Sequence, residues 1–326
     1  MRKHFRTYCL LAVAVVAVAL LSVSCIKDND PAVGGKASVT MTFTTRVSDN
    51  VTAENLLDKE QMRKLRVIVA RSGTNDIIYN VSYDIQPGEK QKVIHFSELT
   101  VNKDGENFDF YAIANEEAFL GEGESLEGKS VDLSALKSCI LRKDFNSPAL
   151  SKIPQAAFKT IPVGPSEKTS STMNLLFPLA KVVLNFDNQT GEPVSLTDVA
   201  ISGIANQGYL FKDIYANSYP QETAGMGTVK FGTEGTLQVP VGEVADASPY
   251  IRYLYPWTSD NTYKLTATWG SKTHEVVFKI GDEELKKLEA GQQLNVNVSL
   301  LVNKQVTIEW KVSPWTSVTN DVPSFN

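Results

Sequence analysis

Short runs of strand-forming residues recur along most of this chain, the clearest of them alternating apolar and polar with period two, and they constrain the fold more than any other feature. In Val39-Thr40-Met41-Thr42-Phe43-Thr44-Thr45-Arg46 every second side chain from Val39 to Phe43 is apolar, so an extended backbone points Val39, Met41 and Phe43 to one face. Further strand candidates occupy 65–70, 77–83, 92–96 and 108–114, and then 175–186, 196–201, 227–231, 236–239, 250–255, 263–269 and 274–280, with two more alternating runs at 294–302 and 305–312. They are rich in β-branched and aromatic residues, with turn-forming residues such as Ser72-Gly73-Thr74-Asn75-Asp76 between them. Helical patterns are confined to 53–64, 132–142 and 282–290, the last with Asp282 as N-cap and Gly291 just past its end. Many short strands and few helices predict an all-β fold of two tandem β-sandwich domains rather than an α/β fold.

Residues 146–172 carry four prolines among many Ser, Thr and Lys residues and read as a long connection. The border between an N-terminal domain, 47–172, and a C-terminal domain, 173–326, is placed there.

The N-terminus reads as an export signal. Arg2, Lys3 and Arg6 precede an apolar run from Tyr8 to Leu21, and Ser22-Val23-Ser24-Cys25 follow. That run is shorter than the roughly 20 residues needed to cross a bilayer. The Leu-Ser-Val-Ser-Cys sequence resembles the lipobox of bacterial lipoproteins, which implies a signal peptide over 1–24 and a lipidated (palmitate-bearing) N-terminus at Cys25. A polar stretch with Asp28, Asp30, Pro31, Gly34 and Gly35 then reads as a tether within 25–46. Cys9 lies in the signal and Cys25 at the lipid site, so Cys139 is the single thiol beyond them and no internal disulfide is expected.

The residues give little sign of catalysis. None of the common nucleophile, zinc-protease or phosphate-loop motifs is present. His95 and His274 each lie in a strand-like run with no companion ligands, so no metal, cofactor or enzyme activity is expected. Glu116, Glu117, Glu122, Glu124 and Glu127 lack EF-hand spacing and read as an acidic loop. The 32 Lys+Arg and 37 Asp+Glu leave a net charge of −5, which argues against nucleic acid as a partner. Trp257, Trp269 and Trp310 sit at strand positions that suit core packing better than a sugar platform.

Taken in order after a lipoprotein signal, several stretches resemble the fimbrillins, the FimA-type subunits of the type V pili of Bacteroidales. They are Leu65-Arg66-Val67-Ile68-Val69-Ala70-Arg71-Ser72-Gly73, Phe110-Tyr111-Ala112-Ile113-Ala114-Asn115-Glu116, Leu179-Ala180-Lys181-Val182 and Glu309-Trp310-Lys311-Val312-Ser313-Pro314-Trp315-Thr316-Ser317-Val318. The Arg usual in that family three places before the Ala of the third motif is Phe177 here. The resemblance implies Greek-key, transthyretin-like sandwiches and a structural subunit of an adhesive cell-surface fimbria, made as an outer-membrane lipoprotein precursor.

It also implies a mechanism. An Arg-specific protease cuts between Arg46 and Val47, the strand bearing Val39, Met41 and Phe43 departs, and a donor strand from another subunit fills the groove. The donor would come from about 305–326, with Val306, Ile308, Trp310, Val312, Trp315 and Val318 as its apolar residues. Other copies or related pilus subunits, and a host or bacterial surface receptor, are the implied partners. The alternatives are a tip or anchor subunit, or a surface lipoprotein that binds glycan or host ligand without polymerising.

Overall fold

The structure, a computed structural model, describes residues 34–315 except 49–50, 53–55, 121–124, 128–129, 148–150, 216–219, 221–226, 242–249, 257–261, 281–282 and 286–287. The signal segment 1–24, Cys25, most of the tether, Glu122, Glu124, Trp257, Asp282 and Val318 lie outside the described residues.

The described part of the first half forms one eight-stranded sheet. Its strands are β1 (Lys36–Ser48), β2 (Val51–Thr52), β3 (Lys64–Arg71), β4 (Ile77–Asp84), β5 (Gln91–Thr100), β6 (Glu106–Ala114), β8 (Gln155–Val163) and β9 (Lys168–Leu176). The order is β2-β1-β9-β8-β6-β3-β4, with β5 paired to β1. Strand β4 approaches β5, where the ring of Tyr79 meets Phe96 edge-on at 5.3 Å and the Tyr79 hydroxyl donates to the Ser97 carbonyl. The curled sheet encloses a core that includes Val39, Met41, Phe43, Leu65, Val67, Phe96, Phe110 and Met173. Strands β3 and β6 are buried on both faces, which is why they read as continuous apolar runs rather than clean alternation.

The second half stacks two sheets. One has the order β15-β10-β20-β21, from β10 (Ala180–Asn188), β15 (Ile251–Leu254), β20 (Gln292–Leu300) and β21 (Val306–Pro314). The other is β13-β11-β16-β17 with β14 on β11, from β11 (Val194–Ile204), β13 (Gly227–Lys230), β14 (Leu237–Val239), β16 (Lys264–Trp269) and β17 (Lys272–Val277). Their facing side chains make a second core, with Val182, Leu184, Ile201, Phe231, Tyr263, Leu294 and Val296 at its centre. Two short ladders complete the fold, β7 (Ile140–Leu141) with β12 (Gly208–Tyr209) and β18 (Lys279–Ile280) with β19 (Glu283–Glu284). The α-helices among the described residues are α1 (Glu117–Leu120) and α2 (Leu133–Lys137). The whole is all-β with a few short helices. A third buried cluster, with Tyr111, Phe177, Leu179, Phe211, Tyr253 and Trp315, joins the halves.

Tertiary hydrogen bonding displaces several expected elements. Where a helix is expected over 53–64, the described part holds a single 3-10 turn, Asp58–Glu60, before β3 begins. Its polar groups are committed elsewhere: the Glu60 carbonyl accepts from Gln155 Nε2 at 2.8 Å and the Asp58 carboxylate pairs with Lys152 at 2.7 Å. The helix expected over 132–142 stops at Lys137, because Ile140 and Leu141 pair with β12. Of the run 282–290, Glu283–Glu284 form β19 and Leu285 donates to the Phe278 carbonyl at 2.6 Å. The expected connection over 146–172 contains β8 and most of β9, so the border placed at 172/173 falls inside β9. The single run expected over 175–186 is interrupted at 177–179, around Pro178, and resumes as β10.

Two of the motifs that carry the resemblance meet in a buried polar staple. Arg66 grips Glu116 through two bonds, Nε to Oε2 at 2.8 Å and an Nη to Oε1 at 2.7 Å, with both side chains at most 2% exposed. Asn115 sits at φ 56, its Nδ2 donating to the carbonyls of Gln61 and Ile153 and its Oδ1 accepting from Arg63 N. Burial alone raises the Glu116 pKa, but Arg66 together with Ser125 more than offsets it and holds the carboxyl below its ordinary 4.5. A depressed carboxylate stabilises the fold above its unfolded pKa, and that contribution is lost as pH falls through the folded value. We expect Glu116→Gln to reduce the acid sensitivity of stability, measured as denaturant midpoints from about pH 7 down to about pH 3. Unchanged sensitivity would show that the pair is not linked to acid unfolding.

Candidate functional site

The alternation in β1 places its apolar side chains on the core. Val39, Met41 and Phe43 are fully buried and Ala37 nearly so, whereas Ser38, Thr40, Thr42 and Thr44 are half-buried on the other face. Both edges of β1 are paired. It runs antiparallel to β5, from Lys36 opposite Thr100 to Thr44 opposite Gln91, and parallel to β9, from Ser38 beside Lys168 to Arg46 beside Leu176. Side chains reinforce the register, with Thr40 Oγ1 3.0 Å from His95 Nδ1 and Thr44 Oγ1 donating to Asn174 Oδ1 at 3.0 Å.

The neighbours depend on this strand. β5 pairs with β1 alone among the named strands, and β9 meets β8 only at the Ala156–Leu176 pair. Take β1 away and an apolar trough remains between two unpaired backbone edges. The Arg46–Val47 bond lies beyond the last β1–β5 pair, in an irregularity between Arg46 and Ser48 where the strand turns to pair with β2.

The C-terminal residues separate into two groups. Val306, Ile308, Trp310 and Val312 are half-buried and pack on the second core from β21, which pairs along its full length with β20 and is the last strand of its sheet. Trp310 meets Phe278 edge-on at 5.5 Å. Trp315 is fully buried in the joint between the halves, stacked on Phe177 at 4.3 Å and on Tyr253 at 5.5 Å, with Lys181 Nζ 5.5 Å from its ring centre. Its backbone N–H donates to the Gly291 carbonyl at 2.8 Å.

Below Trp315 lies a buried ion pair. Lys181 Nζ is 2.7 Å from Glu60 Oε1, with both side chains fully buried, and the Tyr253 hydroxyl donates to the same oxygen at 2.8 Å. The other oxygen, Glu60 Oε2, accepts from Leu57 N at 3.0 Å. Burial pulls the Lys181 pKa down against the opposing pull of Glu60, and burial followed by the Glu60 charge drives the Tyr253 pKa far up. Glu60 thus ties the first half to β10 and β15 through Lys181 and Tyr253, the two residues that also meet the Trp315 ring. One sequence signal pointed here, a lysine inside the apolar run Leu179-Ala180-Lys181-Val182-Val183-Leu184. Nothing in the sequence singled out Glu60.

The candidate chemistry residues are dispersed. His95 is in β5 and His274 in β17, and burial lowers the His274 pKa. Cys139 is half-buried and its thiol pKa is raised by burial. Among the described residues no group of three or more His, Cys, Asp or Glu side chains is placed to hold a metal ion.

No protein-family model and no curated protein matches the sequence. Solved structures do match. The fimbrilin FimA of Porphyromonas gingivalis W83 is 12% identical, covering 87% of this chain and 98% of its own, with a TM-score of 0.53. The tip fimbrial protein Mfa3 of Porphyromonas gingivalis, with a C-terminal truncation, is 11% identical, covering 86% and 100%, with a TM-score of 0.52. A candidate cell adhesion protein of Parabacteroides distasonis is 13% identical, covering 88% and 99%, with a TM-score of 0.53. At these identities the likeness is one of fold, and it runs through most of the chain: this protein is fimbrillin-like in architecture.

Proposed function

We propose that the chain is a structural subunit of a cell-surface fimbria, exported as a lipoprotein through Cys25, cut between Arg46 and Val47, and polymerised by strand exchange into the position that β1 vacates. Supporting it above all is the arrangement of β1: a strand with three fully buried apolar side chains, bridging two strands that depend on it, with an Arg-Val bond near its end where the register shifts. Strand addition then needs no new chemistry, because a donor completes the ladders while its alternate side chains fill the trough. The two domains divide near Pro178, and the role is structural rather than catalytic, with adhesion through a surface receptor.

The test is the N-terminus of the surface form. Mass spectrometry should find Val47, and Arg46→Ala should leave acylated Cys25 at the terminus and no ladder of polymer on gels of unboiled cells. Polymer from the Arg46→Ala strain, or Cys25 at the terminus of normal surface material, would overturn this reading.

One observation favours a tip subunit, which accepts a strand and gives none. β21 is paired throughout with β20, and Trp315 beyond it is buried in the chain's own interior. Under that reading Val306, Ile308, Trp310, Val312 and Trp315 stay at home.

A further inference from the structure

A cleft of about 730 Å³ opens beside the joint, bounded by the 142–147 segment, β13 and β15. Its volume is that of a small-ligand site. The charge of its lining is opposite to that of the protein. Arg142, Lys143, Lys230 and Arg252 face Asp144 and Glu234, an excess of two positive charges in a chain whose net charge is −5. Lys59 adds a further cation behind the wall, its Nζ donating to the Phe145 carbonyl at 2.9 Å.

Two of these cations are held in place. The Arg252 guanidinium donates to the carbonyls of Lys230 at 2.6 Å, Gly232 at 3.0 Å and Ile251 at 2.6 Å, and it lies 5.3 Å from the Phe231 ring centre. Arg142 Nε donates to Gln207 Oε1 at 3.0 Å. A fixed cation loses little freedom when an anion arrives.

The same bonds say what does not bind. β13 and β15 are the terminal strands of their sheets, and such edges ordinarily invite an extended peptide. Here Arg252 covers the Lys230 carbonyl at the end of β13. On β15 the Asn146 amide imitates a strand, accepting from Tyr253 N at 2.7 Å and donating to the Tyr253 carbonyl at 2.9 Å. A peptide finds the ladder already occupied at both points. The opening suits a compact anion with many hydroxyls, for which the exposed Asn206 and Thr228 supply polar partners.

We propose that this cleft binds an oligosaccharide bearing a sugar carboxylate. The inference does not depend on strand exchange, since an uncut chain carries the same cleft. The experiment is calorimetric titration of the full chain with three probes, sialyllactose, oligogalacturonate and neutral lactose, which separate the two carboxylate sources from an uncharged sugar. We expect saturable binding of at least one acidic probe that weakens with added salt. It should also weaken by about tenfold or more in the Lys143→Glu/Lys230→Glu variant. Lys230 is largely exposed and Lys143 is half-buried, and the single changes Lys143→Gln and Lys230→Gln are the readout should the double variant not fold. Absence of binding by both acidic probes at about 10 mM, equal binding of lactose, or unchanged affinity in a folded variant would each overturn the proposal.

Discussion

A chain that begins at Val47 should fail to persist as a stable monomer, and the peptide Lys36–Arg46 added in trans should restore it. Withdrawing β1 exposes the pockets of Val39, Met41 and Phe43. At about 1.5–3 kcal/mol for each buried side chain, that is roughly 5–9 kcal/mol. The whole stability of a domain is commonly about 5–15 kcal/mol, and the loss of both ladders adds to the deficit. Size-exclusion chromatography and thermal unfolding measure the outcome. A monodisperse Val47 chain that melts with the full protein would refute the dependence of the first sheet on β1. The same experiment separates stalk from tip: a 305–326 peptide that replaces Lys36–Arg46 marks a donor segment, and one that does not leaves the tip reading standing.

The second large effect is expected at the joint. Glu60→Ala should destabilise the protein by about 3–5 kcal/mol, because it leaves Lys181 charged or forced neutral in a fully buried site, and it strips the Tyr253 hydroxyl and Leu57 N of their acceptor. Replacing both ends with apolar groups, Glu60→Met with Lys181→Met, should cost much less than the sum of the two single changes, because no lone charge is left behind. Equilibrium unfolding in guanidinium chloride supplies the four stabilities of the cycle. A cost below about 1 kcal/mol for Glu60→Ala would place the pair in effective contact with solvent and remove the argument for a rigid joint.

How much of this was legible in the sequence depended on whether a residue's neighbours lie near it in the chain. The alternation around Val39, Met41 and Phe43 announced β1, and β3 to β6 lie close to their expected runs, because alternation and short apolar runs are both local properties. β9 escaped notice. Lys168-Thr169-Ser170-Ser171-Thr172 carries no apolar face, and it is held as a strand by its parallel partner β1, more than a hundred residues earlier. The buried Arg66–Glu116 and Lys181–Glu60 pairs were invisible for the same reason: a charge in an apolar run shows that a partner is needed and not which one. Gln61 to Lys64 and Glu283 to Leu285 have the composition of helices, but Asn115, Ile85 and β4 claim the first stretch and β18 with Phe278 the second. At the candidate site the strand is readable and the trough is not, since one of its walls has the polar composition of a linker. Trp315 illustrates the limit from the other side. An aromatic just past a strand reads alike whether it docks in its own chain or in another, and only its stacking on Phe177 places it at home.

The short distance between β1 and β2 has a kinetic meaning. Only residues 49 and 50 separate Ser48 from Val51, so while the backbone is whole, β1 is tethered beside its own slot at an effective concentration of about millimolar or more. A competing strand in solution or on a neighbour at micromolar levels is then outcompeted by mass action, however well its side chains fit. Scission at Arg46 removes that advantage at once. The departed segment becomes one dilute peptide among many, its return turns bimolecular, and the choice of occupant passes to whichever strand is held nearest. Hydrolysis of a single peptide bond would thus convert an intramolecular equilibrium into a competition between molecules, and set its moment.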